Sequence, residues 1–179
     1  MTKILLIGLV AVAAVFAAVV ARRPSDFRIE RSAVVTAPPA VVFAQVNDLH
    51  KWDAWSPWAK LDPAAVRAFE GPEAGAGASM VWSGNRQVGE GRMTITESRP
   101  GELIRFRLDF ARPFAGTNMA VFTFTPESDG TLVTWTMTGR QNFMAKAFCM
   151  FIDMDKMVGG EFERGLAQMK SVAEAAART

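Results

Sequence analysis

The chain opens on an unbroken apolar run, Ile4 to Ala21, made of eleven Ile, Leu, Val or Phe residues, six Ala and Gly8. Wound as a helix it is about 27 Å long, close to the roughly 30 Å of a bilayer's hydrocarbon core. Beyond it the pattern shifts to a period of two. Phe27 to Val35 reads as a strand, with Phe27, Ile29 and Ala33 alternating against Arg28, Glu30 and Ser32. A helix follows to about Val46. Thr36 is placed to cap it, Pro38 and Pro39 fit its first turn, and Val42, Phe43 and Val46 share one face. The Gly-rich stretch from Gly71 to Gly77 reads as a loop. No Lys-Ser or Lys-Thr pair and no helix pattern follows it, which excludes a phosphate cradle.

Four further alternations come next. Met93, Ile95 and Glu97 share one phase, as do Ile104, Phe106, Leu108 and Phe110. Ala120, Phe122 and Phe124 form the third set, and Val133, Trp135 and Met137 the fourth. Strands with one wet face produce this period. The stretches Ser98 to Leu103 and Pro126 to Thr131 carry the residues of hairpin turns. A long helix closes the chain, with Met154, Val158, Phe162, Leu166, Met169 and Ala173 at spacings of three and four, and Asp153 or Asp155 as its cap. Gly159, Gly160 and Gly165 weaken such a helix by roughly 1 kcal/mol each against alanine. They make sense where the helix lies close against a neighbour.

These elements define an α+β domain behind a hydrophobic anchor, divided as residues 1–25 and 26–179. The anchor is expected to remain as a single transmembrane helix, since its apolar run exceeds a normal signal-peptide core and Arg22 and Arg23 follow at once. Small residues at Val19-Val20-Ala21 and the basic Lys3 supply the rival reading, a cleaved signal. Arg22, Arg23, Arg28 and Arg31 outweigh Lys3, so the positive-inside rule leans toward a cytoplasmic domain at the cell membrane.

Charge and rare residues remove other classes. The chain has 20 Lys and Arg; without Lys3, Arg22 and Arg23, 17 remain against 18 Asp and Glu. The folded part is near neutral and lacks the basic footprint of a nucleic-acid binder. The single Cys149 sits among Phe148, Met150 and Phe151 and is expected to be a small buried side chain. The single His50 has no Cys or His neighbour, so no metal site and no cofactor are expected. No nucleophile–His arrangement is present.

The order strand, helix, meander, long helix is that of the helix-grip architecture. The segments Ala37-Pro38-Pro39-Ala40-Val41-Val42-Phe43, Val46-Asn47-Asp48 and Trp52-Asp53-Ala54-Trp55-Ser56-Pro57-Trp58 resemble the start of the START-like superfamily. Within it the chain is similar to the polyketide cyclase/dehydrase-like SRPBCC proteins, whose final helix the tail Met154 to Leu166 also resembles. The resemblance covers roughly Asp26 to Ala173. It implies a curved antiparallel sheet wrapped around the last helix, with a cavity between them that holds lipids, sterols, hormones or polyketides. It maps no fixed polar site motif onto this sequence.

Candidate site residues therefore follow from face and period. Phe106, Phe110, Phe122, Phe124, Trp135 and Met137 should share the concave face of the sheet, with Met157, Val158 and Phe162 opposite them on the helix. Trp55 and Trp58 belong either to a cavity lip or to a packed cap. The expected partners are an apolar small molecule or lipid and, through Ile4 to Ala21, the membrane. Plain core is the competing explanation for the same wall. Glu97, in phase with Met93 and Ile95, is the one weak catalytic candidate, an inward carboxylate with a raised pKa. The alternatives to a ligand binder are a protein-partner module like the superfamily's chaperone-ATPase activators, or a cyclase/dehydrase-like enzyme.

Overall fold

The computed structural model describes residues 2–178; Met1, Thr179 and the Ile4 side chain at the head of the apolar run lie outside the described residues. Helix α1 (Thr2–Arg22) carries that run, and its side chains are almost all exposed. Seven strands then form one antiparallel sheet in the order β1-β7-β6-β5-β4-β3-β2. They are β1 (Asp26–Val35), β2 (Val66–Glu70), β3 (Ser79–Ser83), β4 (Glu90–Arg99), β5 (Leu103–Arg112), β6 (Gly116–Glu127) and β7 (Gly130–Arg140). From β2 to β7 every strand pairs with its successor, and β1 closes against β7 from Asp26↔Arg140 to Val35↔Thr131. The helices between β1 and β2 are α2 (Pro39–Asn47), α3 (Trp52–Trp55) and α4 (Pro57–Leu61), with a 3-10 turn at Leu49–Lys51. A short α5 (Phe143–Phe148) precedes the long α6 (Met154–Ala176), which lies across the sheet and packs on β1, α2, α3 and α4.

The helix-grip expectation is met, with two strands (β2 and β3) and three short helices (α3, α4 and α5) added. Strand β2 was not legible because it is an edge strand, exposed at four of its five positions, so it carries no apolar alternation. Strand β3 has only five residues, and the Gly71–Gly77 stretch is the loop joining this pair. The tryptophan segment is helical, since Pro57 opens α4 at its first turn, where no amide donor is lost.

Helix α6 starts where its cap dictates: the Asp153 side chain accepts from the Lys156 amide at 3.1 Å. Its buried stripe is Gly159, Phe162, Gly165, Leu166, Met169 and Ala173. A Cβ on Gly159 would collide with the Arg31 guanidinium, and one on Gly165 would come 3.0 Å from both Pro57 Cδ and Trp135 Cζ3. Those two glycines allow the close approach. A Cβ on Gly160 would meet nothing within 4 Å, so packing does not require a glycine there.

An ion cluster locks α6 to the sheet edge. Arg31 of β1 donates from Nε to Glu163 at 2.6 Å and from Nη2 to Asp155 at 2.8 Å. Hydrogen bonding to Asp155, then to Glu163, holds the guanidinium pKa well above its usual value. The same bond from Arg31 depresses the Asp155 carboxyl. Arg31 pairs directly with Trp135 across the ladder, so it stands on the helix-facing side of the sheet.

Candidate functional site

The concave face of the sheet carries the expected apolar wall. Phe106 and Phe122 are fully buried, and Phe124, Trp135, Met137 and Phe162 are nearly so. The pairings Phe122↔Trp135 and Phe106↔Ala120 place these rings in adjacent rows. Trp135 is the centre. Its ring stacks on Phe162 of α6 at 4.0 Å and 5°, and on Phe122 at 4.7 Å. Trp52, Trp55 and Trp58 meet it edge-on at 6.3, 5.8 and 5.6 Å. Edge-to-face and offset-stacked pairs of this kind each add about 0.5–1.5 kcal/mol beyond area burial.

The tryptophans on the α3–α4 segment form neither a lip nor an outward patch. Trp52 and Trp55 are buried and tied to the end of α2: their indole N–H groups donate to Val46 O at 2.9 Å and Gln45 O at 3.0 Å. Trp58 is half-buried and covers Trp135 and Phe162. The space between sheet and α6 is thus filled by side chains. A surface groove of about 250 Å³ lies elsewhere, lined by residues that include Leu49, His50, Phe69 and Glu73.

One polar atom in this wall has no partner. Trp135 Nε1–H is buried and finds no acceptor among the described residues, unlike the indoles of Trp52 and Trp55. Gln168 Oε1 on α6 is in the same position. Buried donors are nearly always paired, and leaving one unpaired costs about 1–3 kcal/mol.

Three expected wall positions lie elsewhere or only at its margin. Met157 is 45% exposed, because it precedes Phe162 by five residues and so sits about 140° away around the helix. Val158, four residues before Phe162, is half-buried against the core. Phe110 is half-buried at the end of β5, edge-on to Trp82 at 5.6 Å.

The inward Glu97 is corrected outright. The β4–β5 register shifts between Ile95 and Glu97, so that Glu97 faces Arg105 and Ser98 faces the buried Ile104. A bulge reverses the phase of every later residue on the strand. Glu97 stands on the outer face, bonded to Arg105 at 3.1 Å and Arg99 at 3.1 Å. Ser98 takes the inward place and donates to Asn47 Oδ1 at 2.7 Å. Arg105 and Arg107 lie on the outer face, Arg107 with Asp109 at 2.9 Å.

Sequence reasoning missed Arg31, although a signal existed. It is in phase with Phe27, Ile29 and Ala33, and a charge in that register needs a partner. It also missed Lys146, which is 8% exposed, while Cys149 is only half-buried and receives a bond from Gln141 Nε2 at 3.2 Å. Burial raises the Cys149 thiol pKa, which disfavours a reactive thiolate.

A seven-stranded antiparallel sheet gripping a long C-terminal helix defines the class, a helix-grip α+β domain. Residues 26–174 match the family described as polyketide cyclase / dehydrase and lipid transport, and the chain belongs to that family. No curated protein matches it. Among solved structures, protein CV1439 from Chromobacterium violaceum is similar at 20% identity and TM-score 0.59, over 85% of this chain and 99% of that one. The Aha1 dimer from Colwellia psychrerythraea is similar at 13% identity and TM-score 0.60, over 83% and 96%. The di-domain ARO/CYC StfQ from the steffimycin biosynthetic pathway is similar at 13% identity and TM-score 0.63, over 88% of this chain and 54% of that one. At these identities the likeness is one of fold.

Proposed function

We propose that this protein is a membrane-tethered binder or carrier of an apolar small molecule or lipid, held between the concave sheet and α6. The carrying observation is the Trp135 indole N–H, a buried donor without an acceptor among the described residues, in a largely apolar wall. A ligand with an apolar body and one carbonyl or hydroxyl oxygen answers both features. Family membership supports the same ligand class. Entry requires the plug to open, and Trp58, half-buried at the margin on a five-residue helix, is the side chain placed to move first. The tether rests on α1, whose Leu5–Arg22 window has mean hydropathy 2.5 and is only 6% buried, unlike the core helix of a soluble protein.

The filled interior favours a second reading, a protein-partner module that never opens. Titration separates the two. The full chain in phosphatidylcholine vesicles is titrated with a brominated fatty acid, a sterol and an aromatic polyketide, and tryptophan emission is followed. At least one is expected to give a saturable change. Phe122→Glu should abolish it, because an unpaired carboxylate there is costly. Trp135→Phe should weaken it about five- to tenfold, the worth of one hydrogen bond. No saturable change at high micromolar ligand would overturn the binder and leave the partner module.

A further inference from the structure

We propose that α5 and the turn after it form a second membrane contact, a short apolar wedge seated in the face of the bilayer that α1 enters. This rests on reading α1 as a membrane span. Helix α5 has the polarity of a surface helix turned inside out. Its lysine, Lys146, is 8% exposed, while Phe143, Met144, Phe148 and Phe151 on it or just past it are 46%, 62%, 41% and 79% exposed. In water that arrangement is unfavourable twice over, since it exposes rings and desolvates an ammonium. Against lipid it is the favourable one.

Lys146 has a defined task. Its Nζ donates to Ala21 O at 3.1 Å and to Arg23 O at 3.2 Å. Ala21 O is one of the last-turn carbonyls that a helix end leaves without an intrahelical donor, at the negative pole of its dipole, and Arg23 O lies just past that end. The lysine thereby fastens α5 to the point where α1 leaves the membrane. Phe151 then stacks on Phe16 of α1 at 6.4 Å and 21°. Phe16 lies six residues before Arg22, about 9 Å along the helix axis. With Arg22 at the headgroups, Phe151 sits within the roughly 5–10 Å depth at which interfacial apolar faces are buried. Phe148 meets Phe114, on the β5–β6 turn, at 5.6 Å, which extends the apolar surface at the same end of the domain. The occupant is the bilayer because the patch continues the surface of α1 itself.

Site-directed spin labels on the full chain in phosphatidylcholine vesicles test this. In a Cys149→Ala background, single cysteines are placed by Phe148→Cys, Phe151→Cys, Ala14→Cys and Ser128→Cys. Ala14 reports on the span. Ser128 lies in the β6–β7 turn, next to the far end of β1, about 33 Å of strand from α1. Labels at 148, 151 and 14 are expected to collide with dissolved oxygen in preference to a water-soluble nickel chelate, and the label at 128 to do the reverse. If 14 is lipid-like but 148 and 151 favour the chelate, the wedge is overturned and the tether stands. If 148 and 151 are shielded from both reagents, a protein surface covers them and the wedge is again overturned. If 14 favours the chelate, tether and wedge fall together.

Discussion

The protein carries two aromatic clusters, and they obey opposite rules. In the inner one, Trp52, Trp55, Phe106, Phe122, Trp135 and Phe162 bury their rings against one another and keep charge at the margin. In the outer one, Phe143, Phe148 and Phe151 turn their rings outward and bury Lys146 beneath them. The same residue types make a core in one place and an exposed apolar surface in the other. What differs is the neighbour: a sheet face in the first case, the end of an apolar helix in the second.

The sharpest test of that contrast compares stability. Trp135→Ala should destabilise the fold by roughly 3–5 kcal/mol, because it removes a ring stacked on both faces. Phe148→Ser should stay within about 0.5 kcal/mol, as a substitution outside the core does. Urea melts of the full chain in nonionic detergent measure both. A cost for Trp135→Ala clearly below that range would mean that the inner cluster is looser than its packing indicates and would strengthen the ligand reading.

The glycines of α6 sharpen the boundary of the inner cluster. Gly165→Ala pushes a methyl group against Pro57 and Trp135 and should cost about 1–3 kcal/mol. Gly160→Ala meets open space and should instead stabilise by about 0.5–1 kcal/mol. Equal effects in the same melts would show that α6 does not press on the aromatic wall.

The smallest effect concerns the ion cluster at the cluster's edge. The folded-state pKa of Asp155 is lowered by Arg31, so its contribution is fully present above the ordinary carboxylate value, about 3.9, and is lost as pH falls through the depressed value. Arg31→Met should flatten the acid limb of the stability profile in that window and leave the profile near neutral pH parallel to that of the parent. An unchanged acid limb would remove Asp155 from the account.

Much of the architecture was legible because period and length are local properties. The alternations around Phe106, Phe122 and Trp135 announced a sheet with one buried face, and all three rings are buried there. The spacing of Phe162, Leu166, Met169 and Ala173 identified the stripe of α6. Glu97 failed because a bulge is invisible in a phase argument: one extra residue at Thr96 sends the carboxylate outward. Met157 failed because a residue next to Val158 in the chain does not share its helix face. Strand β2 failed because an exposed edge strand has no apolar contrast to detect.

The chain by itself determined the apolar helix, the meander, the family and the rings that make the wall, since each follows from the residue types and their spacing along one stretch. Tertiary structure alone decided that three tryptophans plug the grip, that the Trp135 indole goes unpaired while its neighbours reach the carbonyls of α2, and that Lys146 turns inward to the end of α1. Those outcomes depend on which distant groups come within about 3 Å of one another. Hydrogen bonds and steric contacts act only at that range, and nothing in the local pattern specifies them.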